Sequence, residues 1–172
     1  MGLKAKEVLA DCAVALEDFE QSAATAYWRT RWVAVVTLLR AVGNVLESVD
    51  AKSNEAAAAA IAAEYNELKR TKPQPEIYWR FILEERNSVV KEMALGAHLS
   101  ITLRPGTAWW DARTGETGGL PGLPTTFDHF MRGGVYDSKD PRELCRMAIA
   151  FWSHHLDRVE ERIAEASARA AV

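Results

Sequence analysis

Apolar residues recur at helical spacing along most of the chain, and no other feature of the sequence restricts the fold as much. Five segments carry this pattern: residues 4–22, about 24–49, 54–70, 75–95 and 140–168. An apolar stripe with a period near 3.6 residues marks a helix that buries one face against its neighbours. We therefore expect an all-α dominated fold, an up-and-down helical bundle of four to five helices.

The ends of these helices carry recognisable signals. The segment TKPQPE must interrupt the pattern because prolines are not tolerated in a helix interior, and Pro75 suits the first turn of the helix that follows. Gly96 is expected to end that helix. In the segment DPRE, Asp140 is expected to cap the last helix, with Glu143 completing a capping box.

Residues 98–138 break the helical pattern and predict a small β-rich insertion between the last two helices. The stretch HLSITLR alternates like a strand, and TAWWDA is a candidate partner strand. A further short hairpin is expected across the Gly-Gly pair of FDHFMRGGVYDS. We expect a single domain over residues 1–172, with the bundle formed by residues 3–96 and 139–170.

Charge and cysteine usage restrict the class of protein. With 172 residues and a net charge of -3, the chain shows no overall attraction to nucleic acid or to anionic membranes. Its two cysteines, Cys12 and Cys145, suit buried free thiols in a reducing compartment. The sequence shows no secretory signal and no apolar run of membrane-spanning length. We therefore expect a cytoplasmic protein.

The sequence predicts neither a cofactor nor a metal site. Its Gly-rich loop lacks the spacing of a phosphate-binding loop. Asp128, His129, His154 and His155 lack the helical spacing of metal ligands.

The first two helices carry complementary charges. Residues 25–46 contain Arg29, Arg31 and Arg40 without an acid, whereas residues 7–20 contain five acids. Opposite charges on consecutive helices indicate that the two helices pack side by side.

Two polar residues fall on apolar helix faces. On a helical wheel Arg86 lies in the middle of the face formed by Ile82, Val89 and Met93, and His155 lies between apolar residues of the last helix. An arginine keeps its charge in a core, so we expect Arg86 to be mostly buried and bonded to a carboxylate from another helix or from Glu85. For His155 the first interpretation is a core histidine bonded to a carbonyl.

Two motifs resemble those of an uncharacterised group of bacterial all-α proteins. They are RAVGNVL, from Arg40 to Leu46, and FILEERNSVVKE, from Phe81 to Glu92. That group is loosely similar to the HEPN superfamily, helical bundles that include metal-independent ribonucleases and antitoxin-paired toxins. The superfamily's catalytic arginine is followed four to six residues later by a histidine. After Arg86 those positions, which include Lys91 and Glu92, hold no histidine, so the motif is incomplete.

The first functional hypothesis is a non-catalytic HEPN-like bundle of antitoxin or regulatory type that binds a partner, as a homodimer. Trp79, Trp109, Trp110 and Trp152 are candidates for its contact surface, because tryptophan is enriched at interfaces. Arg40 is a further candidate binding residue.

Two alternatives belong to other classes. One is a metal-independent ribonuclease of degenerate HEPN type, in which Arg86 stabilises the phosphorane, Asn87 positions the phosphate, and Lys91 or His155 serves as acid or base. The other is a small-ligand pocket between bundle and insertion, where Arg86 or Arg104 binds an anion and a tryptophan stacks on the ligand.

Overall fold

The computed structural model describes residues 2–21, 27–102, 108–110, 116–119 and 126–170. Within this part of the chain the long helices are α1 (Lys4–Gln21), α2 (Trp28–Ser48), α3 (Glu55–Arg70), α4 and α5 (Pro141–Ala170). Helix α4 joins three consecutive stretches, a π-helix Ile77–Ile82, an α-helix Leu83–Asn87 and a π-helix Ser88–Glu92. The prediction of a mainly helical fold is confirmed.

The helices enclose one apolar core. Helix α1 packs along α2 and contacts α5, α3 packs on α5, and α4 contacts both α2 and α5. The largest apolar side chains that are fully buried are Phe19, Trp32, Leu39, Phe81, Ile82 and Leu156. Each such side chain contributes about 1.5–3 kcal/mol relative to an exposed one.

Ion pairs join α1 to its two neighbours. Asp18 accepts a hydrogen bond from Nε of Arg31 on α2 at 2.6 Å, and Glu20 accepts one from Nη2 of Arg146 on α5 at 2.5 Å. The predicted side-by-side packing of the first two helices is therefore confirmed. These pairs are exposed to solvent and each contributes little to stability, about 0–1 kcal/mol.

Two short antiparallel ladders lie between α4 and α5. Strand β1 (Ala97–Thr102) pairs with β4 (Thr126–Met131), and β2 (Ala108–Trp110) pairs with β3 (Thr117–Gly119). In the first ladder Ala97 lies opposite Met131 and Leu99 opposite His129. Ala97, Met131 and His129 are buried, so this face of the ladder covers the helical core.

The strand predicted in HLSITLR is confirmed, but its partner was predicted wrongly. The candidate partner TAWWDA contributes β2, whereas β1 pairs with FDHFM, whose Met131 and His129 complete the buried face. The predicted hairpin at the Gly-Gly pair is replaced by a 3-10 turn, Gly134–Tyr136. The turn is closed by the backbone, because Met131 N donates to Lys139 O and Ser138 N donates to Met131 O, both at 2.8 Å.

The π-helical turns of α4 change which residues face the core. A π-helix has more residues per turn than an α-helix, so the buried positions of α4 recur every four residues. They are Ile77, Phe81, Glu85 and Val89, with Tyr78 and Ile82 alongside. The wheel drawn for a regular α-helix placed Val90 and Met93 on this face, but they are 49 % and 72 % exposed.

The helix ends follow the predicted signals in part. Asp140 caps α5, because its Oδ1 accepts a hydrogen bond from the backbone N of Arg142 at 2.8 Å. Glu143 is exposed. Helix α4 ends at Glu92 and does not reach Gly96, because Met93, which follows Glu92, adopts a left-handed conformation with φ 52°. Gly96 instead lies close to the buried side chain of Glu85 on α4.

Helix α2 is unusually apolar. Together with the 3-10 turn that follows it, the segment Trp28–Lys52 has the length and the mean hydropathy of 1.4 that would allow it to cross a membrane. The expectation that no apolar run reaches this length is therefore wrong by composition. A core helix passes the same test, and 39 % of this segment's most apolar window is buried against the other helices.

The cysteines are buried and free, as predicted. Burial raises the pKa of Cys12 to about 12 and that of Cys145 well above its ordinary value. Both side chains therefore act as small apolar groups in the core.

Candidate functional site

The charged residue that α4 buries in the core is Glu85, and not the predicted Arg86. Glu85 is 9 % exposed, and its Oε1 accepts hydrogen bonds from Nε1 of Trp32 at 3.0 Å and from the backbone N of Gly96 at 2.8 Å. Burial raises the pKa of Glu85 and outweighs both hydrogen bonds, which lower it. Among the described residues no cation forms an ion pair with this carboxylate. Glu85 lies four residues from each of Phe81 and Val89, and this spacing is the signal in the sequence that could have identified it as a buried residue.

Glu85 lines a cleft of about 210 Å³ between α4 and the β1–β4 ladder, which we call the Glu85 cleft. The other lining residues include Arg80, Phe81, Glu84, Ser88, Gly96, Met131, Arg132 and Tyr136. A cleft therefore exists where the sequence predicted a small-ligand pocket. Its lining includes Arg80 and Arg132 in place of Arg86, and Arg104 lies outside the described residues. A carboxyl group with a raised pKa in such a cleft is suited to proton transfer.

Arg86 lies at the edge of the core and not within it. The residue is half-buried, and its Nη1 donates to Oδ1 of the adjacent Asn87 at 3.1 Å. The predicted bond to a carboxylate is absent from the described contacts, so that expectation was wrong. The physical reason is the π-helical geometry of α4, which turns Glu85 inward and Arg86 outward. Lys91, the proposed acid or base, is exposed.

His155 is the buried histidine that the sequence predicted. It is 3 % exposed, and its ring stacks on Phe151 with a centroid distance of 5.7 Å. Its Nδ1 lies 3.4 Å from Nη2 of Arg158, where the sequence predicted a bond to a carbonyl. Burial lowers the pKa of His155 to about 4, and the charge of Arg158 lowers it further than Glu64 raises it. His155 is therefore neutral at pH 7.

His155 and Arg86 do not meet in the Glu85 cleft or in the pocket beside His155. His155 borders a narrow pocket with Gly43, Leu46, Tyr78 and Trp152, and Arg86 lines neither this pocket nor the Glu85 cleft. The structure therefore brings Arg86 and Asn87 together, and His155 lines a pocket that includes neither of them.

A second buried carboxylate lies between α3 and α5. Glu64 is 2 % exposed, and it accepts hydrogen bonds from Nε of Arg158 at 2.9 Å and from Nε of Arg162 at 2.5 Å. Sequence reasoning missed this cluster. Glu64 lies at helical spacing between Ile61 and Leu68, which was the available signal.

The two arginines line a cleft of about 510 Å³ between α3 and α5, which we call the α3–α5 cleft. The remaining lining residues are Glu64, Glu67, Leu68, Thr71, Pro75, Phe151 and His154. The guanidinium groups are partly exposed there, with 41 % of the Arg158 side chain and 48 % of the Arg162 side chain accessible.

Among the residues proposed for binding, Arg40 and Trp79 are only half-buried. Arg40 Nη1 is buried without a hydrogen-bond acceptor among the described residues, and it lies beside Gly43 and Trp152. Trp79 packs edge-on against Tyr78, and its Nε1 also lacks a described acceptor. Both side chains thus contact the core and offer little free surface.

The other tryptophans have different positions. Trp152 is 2 % exposed and its Nε1 donates to the carbonyl of Leu39 at 2.8 Å, so the expectation that it forms a contact surface was wrong. Trp109 and Trp110 lie in β2, opposite Gly118 and Thr117 of β3.

One stripe along the surface of α2 carries no charge, and we call it the α2 outer face; the exposed charged residues of this helix, Arg29 and Glu47, lie outside the stripe. Its exposed residues are Thr30, Ala34, Thr37, Asn44 and Ser48, and its half-buried residues are Val33, Leu38, Ala41 and Val45. Val33, Leu38 and Val45 also pack against the core. The outward side of α1 is of the usual kind for a helix facing water, because it carries Glu7, Asp11, Glu17 and Asp18.

Comparison of the chain with models of protein families, with curated proteins and with solved structures gives no significant match. The class of protein must therefore be argued from the geometry of this chain.

Proposed function

We propose that the protein is a non-catalytic, HEPN-like helical bundle of up-and-down topology that acts by binding, in the cytoplasm, as an antitoxin-type or regulatory homodimer. The observation that carries this proposal is the α2 outer face. Five exposed and four half-buried positions along one side of a helix of 21 residues are uncharged. The cores of protein interfaces are depleted in charged residues in the same way.

A second copy of the chain is the partner that fits this face best. An uncharged surface offers no charge pattern that would select a different protein, whereas pairing of identical faces about a twofold axis places like residues together. The small side chains of Ala34, Thr37 and Ala41 allow two helices to approach to interaxial distances of about 8–10 Å.

The size of the face sets the expected affinity. A helix of 21 residues is about 31 Å long at about 1.5 Å per residue. One helix face of this length buries less than the roughly 800 Å² per partner of a standard interface. We therefore expect dimerisation with a micromolar dissociation constant.

The ribonuclease alternative receives less support from the geometry. Arg86 donates to Asn87, Lys91 is exposed, and His155 is buried at a different place in the core. A general acid or base must reach the proton that it transfers, and no described cleft offers Arg86 such a partner.

The test places a charge on the α2 outer face. We expect the wild-type protein to sediment as a dimer at high micromolar concentration, and Ala34→Lys and Thr37→Lys to sediment as monomers with unchanged helical circular dichroism. The matched control is Ala10→Lys, the same kind of change at an exposed position on the outward side of α1, which should remain dimeric. A wild-type monomer at that concentration, or equal dissociation of the control, would contradict the proposal.

A further inference from the structure

We propose that the α3–α5 cleft binds a small phosphorylated molecule, with Arg158 and Arg162 holding its phosphate group. This inference is independent of the proposed dimer, because the cleft involves none of the residues of the α2 outer face.

The charge of the Glu64 cluster favours an anion. Arg158 and Arg162 share the single carboxylate of Glu64, so the cluster keeps a net positive charge after its internal ion pairs are formed. An anion that enters the cleft would balance this charge.

Both arginines have N–H donors that Glu64 does not use. Each arginine donates from Nε to Glu64, which leaves the Nη groups of its guanidinium available. One of these atoms, Nη2 of Arg158, also lies near His155 Nδ1, whereas Arg162 contacts Glu64 through its Nε. Guanidinium groups bind phosphate oxygens through pairs of N–H donors, which gives both strength and orientation.

Glu64 also holds both guanidinium groups in place. Burial raises the pKa of Glu64, but the hydrogen bonds from Arg162 and Arg158 outweigh it and leave the pKa below its ordinary value. Glu64 therefore stays ionised near neutral pH and orients both guanidiniums. An acceptor already fixed beneath an arginine lowers the entropy lost when that arginine binds a ligand.

Two other acids close to the arginines are paired with different arginines. Glu67 lines the cleft, but its Oε2 and Oε1 accept hydrogen bonds from Nε and Nη2 of Arg70 at 3.0 Å and 2.5 Å. Glu165, one turn further along α5, is paired with Arg169. The positive charge of the cleft therefore remains available.

The shape of the cleft indicates an ester and not a free anion. Its volume of about 510 Å³ is far larger than one phosphate needs and lies in the usual range of about 300–1,000 Å³ for small-molecule sites. Phe151, Pro75 and Leu68 give it an apolar wall, while Thr71 and His154 add polar groups. The phosphate would lie on the arginines and the organic group against the apolar wall.

The experiment is isothermal titration of the full chain with inorganic phosphate, glycerol phosphate and adenosine monophosphate at low salt. We expect at least one ester to bind more tightly than inorganic phosphate. Arg162→Gln and Arg158→Gln should each weaken that binding at least tenfold, and the affinity should fall as salt is added. Circular dichroism of each variant checks that the fold is retained.

The matched control is Arg169→Gln, which removes the same charge from α5 at an exposed position outside the cleft. Its affinity should equal that of the wild type. The proposal is overturned if no probe binds at millimolar concentration, if the control loses as much affinity as the cleft variants, or if both esters bind no better than phosphate.

Discussion

Replacing Gly96 by alanine tests whether the buried carboxylate of Glu85 is held as tightly as the structure indicates. A Cβ at this position would overlap Oε2 of Glu85 and lie 2.9 Å from the terminal methyl of Met131. The methionine end can move aside, but Glu85 is held by the Trp32 indole and by the backbone N of Gly96 itself.

The cost of Gly96→Ala follows from these contacts. Overpacking a core costs about 1–3 kcal/mol. Losing one hydrogen bond to a charged group costs about 1.5–3 kcal/mol more. We therefore expect Gly96→Ala to lower the free energy of unfolding by about 2.5–6 kcal/mol, which is a large share of a typical total of about 5–15 kcal/mol. For a chain of this size the melting temperature should fall by roughly 10 °C.

Urea unfolding followed by circular dichroism measures this loss. Gly2→Ala is the control, because a Cβ there meets nothing within 4 Å, and it should leave stability unchanged. In a Glu85→Ala background the carboxylate is gone, so Gly96→Ala should cost at least about 1 kcal/mol less than in the wild type, as expected for residues in contact. An equal cost in both backgrounds would refute the assignment of the strain to Glu85.

Three further predictions concern single side chains. The raised pKa of Glu85 means that its stabilising contribution is complete below its unfolded pKa of about 4.3 and is lost as pH rises through the folded value, by at most about 1.4 kcal/mol per pH unit. Glu85→Gln keeps an acceptor for both donors and does not titrate. In urea titrations, the free energy of unfolding of Glu85→Gln should therefore rise relative to that of the wild type as the pH goes from 4 to 8. A difference that stays constant with pH would argue against a raised pKa. The lowered pKa of His155, about 4, acts in the opposite sense. The contribution of His155 to the free energy of unfolding is fully present above its unfolded pKa of about 6.5. Up to about 3 kcal/mol of that contribution is lost as the pH falls to 4. His155→Gln should lack that part of the acid loss, and an unchanged pH profile would show that His155 does not titrate as described. Arg86→Met should shift the melting temperature by no more than about 2 °C, because a half-buried side chain without an ion pair contributes less than about 1 kcal/mol to the free energy of unfolding. A drop several times larger would support the buried ion pair that the sequence predicted.

Local signals in the sequence determined the helices and several of their ends. Apolar spacing located all five helices, Asp140 predicted the start of α5, and the charges of α1 and α2 predicted the contact that Asp18 and Arg31 make. Burial of Cys12 followed from the same spacing. Each of these inferences depends on residues close in the chain or on one pair of adjacent helices.

The tertiary structure alone decided which polar residues enter the core. The π-helical turns of α4 turned Glu85 inward and Arg86 outward, and a wheel drawn at 100° per residue cannot show this. Glu64 meets Arg158 and Arg162 across more than 90 positions of sequence. Pairing of β1 with β4 was likewise decided by the buried face that they share. Local periodicity reports only the average environment of a helix face, whereas the partner of a buried charge or a strand depends on how distant segments pack.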